Sequence, residues 1–226
     1  MEIELLFQGS YSIAKIGLKS GETIKAQSDA MVSMTSNISV EGKAEGGVLG
    51  VISRSLSGES LFYQTLKCND DKPGEVTVAP YELGDLAILE LDESKKYIIR
   101  KGSFLVGEEG ITLENVSQGL MKGLFSGQGF VLQKVSGNGK IVISSFGGII
   151  KRTLAPDETW IVDNGHMVAW SDTVQYDLKK SSSGMISSLT SGEGIVCECK
   201  GPGDIYIQSR NPSGFASWLR MFLITN

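Results

Sequence analysis

Cys197-Glu198-Cys199 places two sulfur atoms two residues apart, on one face of a strand, and such a pair is able to grip a soft metal ion. A closed four-ligand site needs two further donors. The chain has one other cysteine, Cys68, and one histidine, His166. The expectation is therefore packed core cysteines, with no metal and no cofactor. An odd cysteine count without framework spacing also points to a reducing compartment.

The other catalytic devices fail on residue type. No Gly-x-Ser-x-Gly elbow is present, and a histidine-based nucleophile pair has only His166 to draw on. "SGQGF" and "GNGKI" lack the Gly-Lys-Ser/Thr of a phosphate loop and read as hairpin turns. Glu41, Glu114 and Asp177 occupy corresponding places in the chain. A ring of three carboxylates would suit a cation, but exposed strand ends are the plainer expectation.

That correspondence comes from internal repetition. "YIIRKGSFLVGEEGITLE" (97–114) aligns without gaps on "WIVDNGHMVAWSDTVQYD" (160–177) at an offset of 63, and on "IKAQSDAMVSMTSNISVE" (24–41) at an offset of 73. Apolar positions stay apolar: Tyr97 meets Trp160 and Ile24, and Phe104 meets Met167 and Met31. His166 takes the place of Ala30 and Ser103, which makes it a strand or turn residue rather than a base. Ile13, Ile16 and Leu18 precede the first copy as Leu86, Leu89 and Leu91 precede the second, and "GGIIKRTL" leads into the third. A Ser-Gly turn follows each copy, at Ser57-Gly58, Ser126-Gly127 and Ser191-Gly192. Then comes a strand with alternating polarity, in "PGEVTVA", "NGKIVIS" and "PGDIYIQ".

The fold class expected is all-β. Three internal repeats of about 70 residues form one compact pseudo-threefold body of short antiparallel strands, six or seven per repeat. The repeats cover approximately 10–80, 81–145 and 146–212, with a tail at 213–226. In that tail Phe215, Trp218, Leu219 and Phe222 make a helical stripe, with Asn211 as cap and Pro212 at the first position. It reads as a short helix closing over the core or meeting another subunit, with an apolar docking element as the alternative.

Before each Ser-Gly turn lies a stretch unusually rich in both glycine and apolar residues. These are Val48, Leu49, Val51 and Ile52; Leu120, Met121, Leu124 and Phe125; and Met185, Ile186 and Leu189. They are the candidate contacts to a protein or membrane-surface partner, or between subunits. The glutamates of the turn, Glu59 and Glu193, become Gln128 in the middle copy. Loss of charge there favours a structural role over shared chemistry.

Arg54, Leu56, Ser57, Gly58, Glu59, Ser60 and Phe62, together with "GETIKAQSDAMVSM" (21–34) and "IYIQSRNPSGFASWL" (205–219), resemble the Altered Inheritance of Mitochondria protein twenty-four family over nearly the full length. The resemblance implies three structural repeats like those of the tryptophan RNA-binding attenuation protein, and assembly as a homotrimer. The fungal mitochondrial member is tied to inner-membrane architecture. That role does not transfer directly, because "MEIELLFQGS" has no basic leader and reads as neither signal peptide nor presequence. "LLFQGS" resembles a viral-protease tag site and equally reads as a native strand.

Composition sets the outer bounds. Of 226 residues 41% are hydrophobic and 21% charged, which suits a folded core, and no apolar run reaches the ~18 residues of a membrane span. A net charge of −5 opposes binding to nucleic acid. The function expected is a non-enzymatic, cytoplasmic, oligomeric scaffold. The alternative is a small-ligand or lipid-binding barrel, and an RNA-binding ring ranks below both.

Overall fold

The computed structural model describes residues 1–43, 63–116, 131–180 and 195–223. Nineteen strands form among them. β1 (Glu2–Leu6) stands first. A first run of six contains β2 (Ile13–Leu18), β3 (Thr23–Gln27), β4 (Met31–Met34), β5 (Ile38–Lys43), β6 (Tyr63–Cys68) and β7 (Gly74–Val78). The second contains β8 (Leu86–Leu91), β9 (Tyr97–Arg100), β10 (Phe104–Glu108), β11 (Ile111–Asn115), β12 (Leu132–Gly137) and β13 (Gly139–Ser144). The third contains β14 (Ile149–Leu154), β15 (Thr159–Asp163), β16 (Met167–Ser171), β17 (Gln175–Lys180), β18 (Ile195–Lys200) and β19 (Gly203–Gln208). Helix α1 (Pro212–Arg220) ends the chain.

Alternation makes these strands. In IAKIGL, Ala14, Ile16 and Leu18 are buried while the residues between them are partly exposed, the period-2 signature of a strand with one face on a core. In GEVTV, Gly74, Val76 and Val78 point inward. Glycine supplies the tight β12–β13 turn: Gly137 and Gly139 take φ of 110° and 136° on either side of Asn138. A side chain on Gly137 would run into the Gly110 carbonyl.

The strands assemble into antiparallel sheets with orders β1-β2-β7-β4, β5-β6-β3-β10-β13-β8, β11-β12-β9-β16-β19-β14 and β15-β18-β17. Three pairs, β4–β7, β10–β13 and β16–β19, slip register by one residue, between Met31 and Ser33, Phe104 and Val106, and Met167 and Ala169. Such bulges sharpen local twist and help a sheet to curl. The buried residues form three apolar clusters, around Ile16 and Leu66, around Tyr97 and Ile141, and around Trp170 and Cys199. Full burial of one such Ile or Leu contributes about 1.5–3 kcal/mol.

At the two ends of the chain the structure takes the native-strand reading of the first and alters the placement of the second. "EIELL" is a strand, pairing with β2 from Glu2↔Gly17 to Leu6↔Ile13 and covering its outer edge. The tail does form a helix, but none of its residues is buried. It touches the body through Phe215, whose ring centroid lies 5.2 Å from that of Phe146. Among the described residues, no helix is long and apolar enough to cross a membrane.

Candidate functional site

The residues singled out for chemistry occupy structural positions. Cys197 and Cys199 are both buried with free thiols. β15 and β17 flank β18 and enclose them. The Cys197 thiol lies 3.1 Å from the Tyr176 hydroxyl and 3.3 Å from Asn164 Oδ1. Tyr176 stacks on Trp170 at 4.3 Å. Burial pushes Cys197 up to about 12 and Cys199 up to about 11, so both stay protonated and unreactive at neutral pH.

His166 closes a short 3-10 turn, Asn164–His166, and its Nδ1 lies 2.7 Å from the Gln208 carbonyl oxygen. Since a carbonyl only accepts, that nitrogen carries the hydrogen and the ring is tied to β19. Glu114 and Asp177 lie exposed on β11 and β17. Glu41 is on β5, in a different sheet from either. No metal-holding group of His, Cys, Asp or Glu occurs among the described residues.

A cleft of ≈ 540 Å³ opens where the β2–β3 and β10–β11 turns meet, lined among others by Glu22, Glu108 and Glu109. The α-ammonium of Met1 sits there, 3.5 Å from Glu22 and 3.9 Å from Glu108. The Lys19 N–H donates to Glu22 at 2.9 Å and holds its carboxyl below the usual range. Among the described residues that line it, the ionisable side chains are those of Glu22, Glu108 and Glu109.

The apolar glycine-rich residues Val48 to Ile52, Leu120 to Phe125 and Met185 to Leu189, and the motif Arg54 to Phe62, lie outside the described residues. The strands on either side of those segments pair with each other: β5 with β6, β11 with β12, and β17 with β18.

Two exposed apolar edges emerge instead, and sequence reasoning did not find them. On β4, Met31, Val32 and Met34 are 37%, 58% and 37% exposed. On β15, Trp160 and Ile161 are 38% and 53% exposed. Among the described residues β4 pairs only with β7, and β15 only with β18. Arg152 braces the second edge: its guanidinium lies 3.7 Å over the Trp160 ring and 2.8 Å from Glu158. A third apolar surface is α1, where Phe215, Trp218 and Phe222 form a chain of ring contacts at 5.8 and 4.9 Å. Exposed sheet edges and aromatic faces of this kind are surfaces on which another chain can pair or pack.

The family described as Mitochondrial biogenesis AIM24 matches residues 3–210. An uncharacterised protein of Streptococcus pyogenes serotype M6 is 34% identical over 224 residues, which is 96% of this chain and 88% of that protein. The crystal structure of protein SPYM3_0169 from Streptococcus pyogenes superimposes with a TM-score of 0.80 at 31% identity, covering 98% of this chain and 99% of that one.

Proposed function

The chain belongs to the Mitochondrial biogenesis AIM24 family, and on that footing we propose that it is a non-enzymatic, self-assembling scaffold whose working form is a homotrimer. Its three runs of six strands are three equivalent units, related as in the tryptophan RNA-binding attenuation protein. Three chains then give a ring of nine units.

The observation that carries this reading is the strand order. The groups β3-β6-β5, β9-β12-β11 and β15-β18-β17 have one connectivity, and so do β2-β7-β4, β8-β13-β10 and β14-β19-β16. The three register slips fall at equivalent places, Met31/Ser33, Phe104/Val106 and Met167/Ala169, at the sequence offsets of 73 and 63. Units of this kind pair edge to edge, which suits assembly and leaves the core full of side chains rather than substrate. A protein or membrane-surface partner meets the assembly through apolar surface, of which the aromatic face of α1 is one example. The three buried free cysteines support a reducing, cytoplasmic setting.

Native mass spectrometry of gently purified protein tests the reading. It expects a mass of three chains with nothing bound. A mass of one chain overturns self-assembly, and a stoichiometric bound lipid or small molecule replaces the scaffold with a ligand-binding barrel.

A further inference from the structure

We infer that a second copy of this chain completes both open edges: β15 of one copy adds antiparallel to β4 of the next, with Ser33 opposite Val162, Met34 opposite Ile161 and Thr35 opposite Trp160. The inference rests on the three-unit reading above and names the interface that joins the chains.

The chain already makes this joint twice within itself. β10 pairs antiparallel with β3, setting Val106 opposite Ala26, Gly107 opposite Lys25 and Glu108 opposite Ile24. β16 pairs antiparallel with β9, setting Ala169 opposite Ile99, Trp170 opposite Ile98 and Ser171 opposite Tyr97. The second set is the first moved forward by 63 on one strand and 73 on the other. One more step along the units places β4 of a new copy against β15, and the same offsets fix the register stated.

Exposure marks the place where the neighbour belongs. Phe104, Leu105 and Val106 are 3%, 0% and 0% exposed, and Met167, Val168 and Ala169 are 3%, 0% and 0%. Their counterparts Met31 and Val32 are open to solvent at 37% and 58%. On the other edge Tyr97 and Ile24 are each 1% exposed, whereas the matching Trp160 is 38% exposed. Residue type is retained while burial is lost. The remaining terminal strands differ from these two. Among the described residues β5, β11 and β17 end their sheets in all three runs, β8 and β14 end theirs alike in the second and third, and β1 covers the matching edge of β2 in the first. β4 and β15 are terminal only where the series of units stops.

A bare apolar edge is a hazard that a folded chain covers. By the precedent of β10 with β3 and β16 with β9, the two edges meet in the antiparallel sense. The Met31–Met34 segment carries no charge that β15 would have to desolvate. Each copy offers one edge of each kind, so the contact is head to tail and closes into a ring when the rotation per chain divides a full turn.

The test is a double variant, Met34→Cys with Ile161→Cys, assembled and then oxidised. Both side chains are exposed, so neither substitution enters the core, and the three native thiols are buried. Opposed positions in an antiparallel pair lie within disulfide reach. The expected result is a covalent multi-chain species on a non-reducing gel that neither single variant gives. A multi-chain native mass without that crosslink overturns this interface and leaves the scaffold standing. A single-chain native mass for the unsubstituted protein overturns both. As a second reading, Met34→Glu should dissociate the assembly, and adding Ile161→Lys should restore it. Assembly unaffected by Met34→Glu overturns the interface.

Discussion

Ser12 and Asp85 are 73 residues apart and joined side chain to side chain, the Ser12 hydroxyl donating to the Asp85 carboxylate at 2.7 Å. That separation equals the sequence offset of 73, so on the proposed three-unit reading a residue at the start of one unit is held by its counterpart in the unit before. Burial opposes the charge on Asp85, but Ser12 and the backbone N–H groups of Gly9, Leu86 and Ile149 outweigh it and hold the carboxyl below its usual range. A lowered carboxyl contributes stability above its unfolded pKa, and that stability is lost as pH falls through the folded value. Ser12→Ala should therefore cost about 1–2 kcal/mol at about pH 7 and progressively less in acid. Urea titrations of both proteins across that range will show it, and an equal cost at every pH would contradict it.

Gly84 admits no side chain. It bridges to Gly147, 63 residues on, and an added Cβ would run into the Ser145 carbonyl and lie 2.8 Å from the Gly147 N and O. All these atoms are backbone and cannot rotate aside. Gly84→Ala should lose roughly 3 kcal/mol or more, measured as a fall in denaturation midpoint. An unchanged midpoint would mean that the joint between Gly84 and Gly147 is softer than its geometry.

Cys197 and Cys199 should resist alkylation in the folded protein at about pH 8, because the thiolate is the reactive form, and should label fully in denaturant. Peptide mass mapping reads both. The sign with pH follows from the upward shift. Folding favours the protonated thiols, so their contribution is intact below the ordinary value of 9.0 and is lost as pH climbs towards about 11 and 12. Rapid labelling of the native protein would place these thiols outside the core.

Asn211 starts α1 by accepting from the N–H groups of Ser213 and Gly214, at 2.9 and 3.5 Å. Asn211→Ala should weaken the helix by about 1 kcal/mol. With no helix residue buried, the loss should appear as faster amide exchange over 212–220, with the melting temperature of the sheets unmoved. A large drop in melting temperature would mean that α1 holds the body together.

Much of the fold was legible because alternation is a local signal. "EVTVA", "KIVIS" and "DIYIQ" became β7, β13 and β19, and Asn211-Pro212 announced the start of α1. Cys197 and Cys199 read as core residues because the chain lacks partners for a metal site. The open edges were not legible. MVSM on β4 has the apolar character of FLVGE on β10 and MVAWS on β16, and residue type alone does not say that, among the described residues, only the last two have a strand on both sides. On the proposed reading that difference lies in the end of a series of units, which likeness between copies hides. The helix was legible as a helix. Its placement was not, because an amphipathic stripe specifies a buried face without saying what buries it.

The most direct measurement is amide hydrogen exchange over Met31–Thr35 and Thr159–Asp163 at high and low protein concentration, with native mass recorded on the same samples. If β4 and β15 meet between copies, both segments are protected in the multi-chain form and lose protection together on dilution to single chains, while β10 and β9 keep theirs. Fast exchange at both segments in a sample whose mass is multi-chain would contradict the account.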